Sequence, residues 1–301
     1  MNKKTTLSKF HGLMFKWRKY IKQFSYHPKH WAIISDYCMG AKNKPNDVLT
    51  FSICPYDVKQ LKSFMTIIQN IMKKDIKHKN TVPEAMIDLI KNQTFFFTIS
   101  YVLRTDDCVN IEYFKDSLNL YIKKSEIFCK KKQEKEELKD IKKLKRIQQY
   151  IRQNNFNHKF IKSFIYIASM LSEVMEFLAI NQGAETINWI SDRDPALSFK
   201  EKIFYIYANK VYNLKIGERR NNVKHILYNS FSEQGSFPLD GLIRYPDTIT
   251  SALASLNFNN NQCDEKKHNI LMHNAIAQND RIIILDITSE GIGEKFFIVN
   301  K

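Results

Sequence analysis

HWAIISDYCMGAKNKPNDVLTFSICP, residues 30–55, is the stretch from which the fold can be read. An apolar run reaches Asp36, and Lys44-Pro45-Asn46-Asp47 then supplies a turn into a second β-rich run. Two strands this close across a polar loop pair most simply as a hairpin. Working outward, Val58, Leu61, Phe64, Met65, Ile68 and Met72 recur at helical spacing, and TVPEAMIDLIKN (81–92) starts a helix with Pro83 near its first turn. FFFTISYVL (95–103) has the aromatic and β-branched content of a buried strand.

Residues 110–182 are helical in pattern throughout, and Gly183 marks a stop before INWISDRD (187–194), a strand that ends in two aspartates flanking an arginine. Residues 197–216 follow as an amphipathic helix. The segment 235–258 reads as a loop or short strand leading into a helix that opens near Asp247. The two apolar runs of 281–301, across a Ser-Glu-Gly-Ile-Gly turn, predict a final hairpin. Strands alternating with helices predict an α/β domain covering 1–301, with 110–182 a mainly helical insertion.

A chain of 301 residues with 44% hydrophobic content can bury a sizeable core, which excludes a disordered polymer. The excess of 47 Lys+Arg over 31 Asp+Glu leaves a net charge of +16. That excess makes a polyanion, above all nucleic acid, the first partner to consider. A plain compositional bias toward Lys, Asn and Ile accounts for the same number and stands beside it.

Five scattered cysteines without a C-x-x-C pair fit a reducing, cytoplasmic setting better than a disulfide framework or a zinc site. The first residues carry basic side chains but no uninterrupted apolar core of a secretion signal. The most apolar helical stretch, 160–180, contains Lys162, Glu173 and Glu176, so a membrane span is not expected. Its apolar stripe predicts core. The charged centre, 130–153, reads either as a solvated helix laced by Glu–Lys pairs or as a basic arm for nucleic acid.

Walker-type, G-x-G-x-x-G, H-E-x-x-H and G-x-S-x-G motifs are all absent. Carboxylates remain. Asp36 ends one strand, Asp192 and Asp194 end another, and Asp247 opens a helix. Each has an ordinary explanation: a turn at Asp36, an Asp-Pro turn at Asp194, and a first-turn helix residue at Asp247. Together they describe something else. Strand carboxyl ends in an open α/β sheet share an edge where ligands bind. Carboxylates converging there repel one another unless a hard cation such as Mg²⁺ lies between them, and two such ions suit phosphodiester hydrolysis.

Three islands of sequence resemble the domain-of-unknown-function 3800 family, whose proteins are thought to adopt an RNase H-like fold. The strand ending at Asp36 with its hairpin into DVLTFSICP is similar to the family's opening strand and D-E-S-G motif. INWISDRD resembles the family's later strand ending in Asp-Arg, and RYPDTITSALA its last motif, an Ala-Asp pair opening a small-residue helix. The chain departs from the pattern at Tyr37-Cys38-Met39, where the family has Glu-Ser-Gly, and at Pro246, where it has Ala. The resemblance implies an RNase H-like mixed sheet flanked by helices. It places the metal-binding and catalytic carboxylates at Asp36, Asp192 and Asp247. A helix-borne acid remains open among Glu84, Asp106 and Asp107.

The leading expectation is a nuclease or nuclease-like phosphodiesterase dependent on Mg²⁺ or Mn²⁺. Asp194 would be an auxiliary metal ligand, and Arg193 or Arg244 would hold a substrate phosphate. The alternative is a non-catalytic module that binds nucleic acid or protein on the same fold. A third reading is an assembly subunit, with a protein partner or a second copy of the chain.

Overall fold

The computed structural model describes residues 5–72, 81–103, 111–132, 135–153, 155–191, 197, 203–217, 222–230, 240–288 and 291–295. After α1 (His11–Ile21), a hairpin of β1 (His30–Cys38) and β2 (Asp47–Pro55) leads through α2 (Val58–Ile71) and α3 (Glu84–Asn92) to β3 (Phe97–Leu103). Three helices, α4 (Ile111–Lys132), α5 (Lys135–Ile151) and α6 (His158–Asn181), precede β4 (Thr186–Ser191). Then come α7 (Ile203–Ile216), β5 (His225–Ser230) and α8 (Asp240–Ala254). A two-residue pair, β6 (Leu256–Asn257) with β7 (Gln262–Cys263), is followed by α9 (Lys266–Leu271), β8 (Ile282–Thr288) and β9 (Gly291–Lys295).

Seven strands form one mixed sheet in the order β5-β4-β1-β2-β3-β8-β9. β1, β2 and β3 make an antiparallel meander. β4 lies parallel to β1 on its other side, and β5 parallel to β4. β8 joins β3 in parallel, with β9 antiparallel at the far edge. Helices cover both faces, which is why β1, β2 and β3 are buried almost throughout and read as near-continuous apolar runs.

Alternation along the strands sorts their side chains. Trp31, Ile33, Phe51, Ile99 and Trp189 face one core, filled by α1, α4, α5, α6 and α7. Ala32, Ile34, Val48, Val102 and Ile284 face the other, filled by α2, α3, α8 and α9. Under α8 this second face carries hydroxyls that satisfy one another across strands, Thr50 with Ser100 and Ser52 with Thr98, each at 3.0 Å. Local chemistry sets helix starts: Asp57 accepts the amides of Lys59 and Gln60 at the head of α2, and Asn157 that of Phe160 at the head of α6. By length and composition α6 could cross a membrane, but 83% of its most apolar window is buried inside the fold, as in a core helix.

Several expectations change in detail. β1 continues two residues beyond Asp36. α8 starts at Asp240 rather than near Asp247, with Pro246 inside it. Gly291 and Gly293 belong to β9 and not to the turn before it. β5 was not anticipated from the sequence.

Candidate acidic site

Asp36 sits near the carboxyl end of β1 and is 4% exposed. Its position in the alternation is that of Ala32 and Ile34, so it faces the core beneath α8. Across the strands it lies opposite Thr50, which in turn lies opposite Ser100. On the other side, Ser35 pairs with Ser191, the last residue of β4. The carboxyl ends of β1 and β4 therefore share one edge of the sheet.

α8 crosses this face over β1 and β2. At its start, Arg244 Nη1 donates to the Met72 carbonyl at 2.7 Å, closing the end of α2. Gln93 Nε2 donates to the Tyr245 hydroxyl at 2.7 Å. At its other end, Asn46 Nδ2, in the β1–β2 turn, donates to the carbonyls of Leu253 and Leu256. The helix thus runs toward the edge where β1 ends. Asp247 lies two residues after Tyr245, about 3 Å further along the helix and about 200° around it. It is 9% exposed, and its Oδ1 accepts from Ser251 Oγ at 3.5 Å. Asp36 thus turns to the face of the sheet that α8 crosses, and Asp247 is carried by that helix.

Asp192, Arg193 and Asp194 lie outside the described residues, as do Asp106 and Asp107. Glu84 is exposed in the first turn of α3, where its charge complements the helix dipole. Arg244 spends one guanidinium nitrogen on Met72 at the start of α8. Among the described residues, no three His, Cys, Asp or Glu side chains are grouped to hold a metal ion.

Sequence reasoning overlooked Asp286, 6% exposed on β8 and on the same face of the sheet as Asp36. Its signal was available: IIILD repeats the pattern of IISD, an apolar run into an aspartate. It stands in the row of Cys38, Val48 and Val102, three strands from β1, or ~14 Å across the sheet. That separation keeps it from sharing an ion with Asp36.

Tyr37, where the resembled family has glutamate, turns to the opposite face. Its hydroxyl hydrogen-bonds Ser35 Oγ at 2.5 Å and accepts from Ser191 Oγ at 3.2 Å, while Trp189 Nε1 donates to Ser35 Oγ at 2.8 Å. The residue after Asp36 thus ties β1 to β4 through a hydroxyl.

Two other polar groups invite attention. Ser255, His268 and Glu265 have the composition of a hydrolytic triad, but Ser255 Oγ and Glu265 Oε1 both meet the same ring nitrogen, Nδ1, at 3.0 and 3.6 Å. A triad base needs one nitrogen for each partner. Lys44 Nζ also donates to Ser255 Oγ at 2.6 Å, so the cluster ties the β1–β2 turn to α8 and α9. In the other core, Glu173 of α6 pairs with Lys215 at 3.1 Å and accepts from the Tyr101 hydroxyl at 3.5 Å. Burial, with the Glu173 charge beside it, pushes the Tyr101 hydroxyl well above its usual range.

An open groove of about 340 Å³ lies at the opposite sheet edge, lined by Met14, Trp17, Ile21, Arg18, Lys22 and Asn181. The carboxyl ends of α1 and α6 meet there, so Arg18 and Lys22 offset the partial negative charge of two helix termini. Comparison with protein-family models, curated proteins and solved structures finds no match for this chain.

Proposed function

We propose that the chain is a divalent-metal-dependent nuclease or nuclease-like phosphodiesterase, a divergent relative of the domain-of-unknown-function 3800 family on an RNase H-like fold. The observation that carries the reading is the placement of Asp36: a buried carboxylate at the shared carboxyl edge of β1 and β4, under the helix that bears Asp247. A carboxylate at the end of a strand, on the face crossed by a helix that carries a second one, suits a hard cation held with oxygen ligands.

The sheet order supports the fold assignment. An antiparallel meander β1-β2-β3, with β4 and β5 parallel to β1 on its other side, is the arrangement of an RNase H-like sheet. In that frame β8 and β9 extend the sheet, and residues 110–182 are a helical insertion whose last helix, α6, has become part of the core.

Hard carboxylate oxygens fit Mg²⁺ or Mn²⁺. Asp36, Asp247 and Asp192, next in the chain after Ser191, would hold the ion, with Asp194 as an auxiliary ligand. The bound metal supplies an activated water and charge neutralisation at the phosphodiester. The chain supplies the rest. α8 and β1 fix Asp36 and Asp247 on rigid elements, the surrounding apolar core limits water, and Arg193 orients a substrate phosphate. The positive net charge favours a nucleic-acid polymer, and the five scattered cysteines, without a C-x-x-C pair, support a cytoplasmic setting.

A second reading has a specific observation behind it. Tyr37 places a hydroxyl tie between strands where the resembled family places a carboxylate, which suits a protein that binds nucleic acid or another protein without turnover. Cleavage of DNA and RNA with Mg²⁺ or Mn²⁺, comparing wild type with Asp192→Asn, separates the two. The nuclease reading expects cleavage by wild type and its loss in the variant. Salt-dependent binding with no turnover in either protein favours the binding module.

A further inference from the structure

We propose that the β1–β2 turn and the first turn of α6 form a ledge that holds backbone phosphates of nucleic acid, with Lys159 and Lys42 as the contacting cations. α6 ends at Asn181, and the strand after it begins at Thr186, which pairs with His30 at the start of β1. Its first turn therefore stands at the other end of β1, on the edge where Asp36 lies. One ion pair fixes it there: Lys162 Nζ meets Asp47 Oδ2 at 2.9 Å, and Asp47 is itself held in the turn by the backbone N–H of Gly40, which donates to its Oδ1.

Lys159 and Lys162, three residues apart on one helical face, are treated differently. Lys162 is largely buried and neutralised by Asp47, with side-chain exposures of 14% and 12%. Lys159 is exposed, and no acid among the described residues pairs with it. Its stem lies flat across Gly40: a Cβ at that position would meet Lys159 Cε, and would stand 2.7 Å from Cδ and 2.8 Å from Cγ. Gly40 also has φ +60°, so the turn requires glycine for its backbone as well as for the space.

A lysine whose stem is already packed loses less freedom when its ammonium binds an anion. Lys42, exposed two residues beyond Gly40, places a second cation on the same turn. At most ~14 Å of chain separates Asp36 from Gly40, a few nucleotides along a strand. The ledge would therefore grip phosphates that flank the one at the acidic site.

The choice of polymer rests on the nuclease reading, but the test is binding rather than cleavage. Anisotropy of labelled DNA and RNA oligonucleotides is measured in EDTA over a salt series. Lys159→Gln is expected to weaken binding several-fold and to reduce the salt slope by ~0.7–0.9, the value of one lost phosphate contact. Lys159→Arg should keep both, and Gly40→Ala, if folded by near-ultraviolet dichroism, should reproduce the loss. Lys22→Gln, at the opposite edge, should leave the slope unchanged. An unaltered slope for Lys159→Gln, or an equal fall for Lys22→Gln, overturns the ledge. Wild-type binding without turnover sinks the nuclease reading and leaves the ledge standing. Failure of wild type to bind either polymer at low salt overturns both.

Discussion

Ser35 of β1 lies beside Ser191, the last residue of β4, in parallel register; Asp36 follows the first in its strand and Asp192 follows the second in the sequence. That pairing is the structural basis for treating two distant aspartates as one problem. Asp247 is carried by α8, whose end is tied by Asn46 to the turn leaving β1.

Asp36→Asn should reduce metal-dependent cleavage by at least about 100-fold. In metal-free buffer the same change should move the melting temperature little, because asparagine keeps the shape of the side chain and most of its hydrogen-bonding capacity. Paired cleavage and melting measurements check both halves. A large loss of stability without metal would mean that Asp36 is a structural ion-pair partner instead.

Tyr37→Phe should cost ~1 kcal/mol in urea unfolding, because it removes the hydroxyl that links Ser35 to Ser191. The ring itself packs at the edge of the first core and should stay in place. Restoring the residue of the resembled family, Tyr37→Glu, would put a carboxylate on the face away from Asp36. It should therefore not raise cleavage, and increased turnover would show that Tyr37 had been assigned to the wrong face.

How much of this was legible in the residues differs from place to place. The apolar run into Asp36, the Lys44–Asp47 turn and the strand of INWIS follow from continuous apolar, β-branched runs and turn chemistry, which are local signals. α8 was misjudged because Pro246 resembles a helix entrance, and GSFPLDG before it looks like loop. Gly241 is there for another reason. A Cβ at that position would stand 2.6 Å from Gln69 Cγ, so the glycine lets α8 begin against α2. Asp247 then lies in mid-helix, where neither a first-turn nor an N-cap explanation applies. Close approach between distant helices leaves no periodic mark, and neither does the hydroxyl tie at Tyr37. β5 escaped notice because His225 and Leu227 are exposed and the strand is short.

Lys162→Met should destabilise the protein by removing the cation from Asp47, leaving its carboxylate, among the described residues, with the Gly40 amide. The cost should fall below the ~3–5 kcal/mol of a broken, fully buried pair and above the ~0–1 kcal/mol of a surface pair. Urea denaturation with the double variant Lys162→Met/Asp47→Asn checks the pairing: most of the loss should be recovered.

Acid should weaken the tie between α9 and the β1–β2 turn. Hydrogen bonding from Lys267, helped by Lys44 and the nearby His268, holds the Glu265 carboxyl down at about 2 from its ordinary 4.5. A depressed carboxyl stabilises the fold above the unfolded value and loses that contribution as pH falls. The stability difference between wild type and Glu265→Gln should therefore be full above pH 4.5 and vanish toward pH 2. Urea midpoints across that range measure it, and a difference that grows as pH falls would reverse the assignment.

The most direct test of the account is a Mn²⁺ soak of crystals of this protein with anomalous diffraction. The account predicts a peak between β1 and α8, with carboxylate oxygens of Asp36 and Asp247 about 2.1 Å away and Asp192 completing the set. An anomalous map with no peak there at millimolar Mn²⁺, and with the Asp36 and Asp247 carboxylates turned to separate partners, would contradict it.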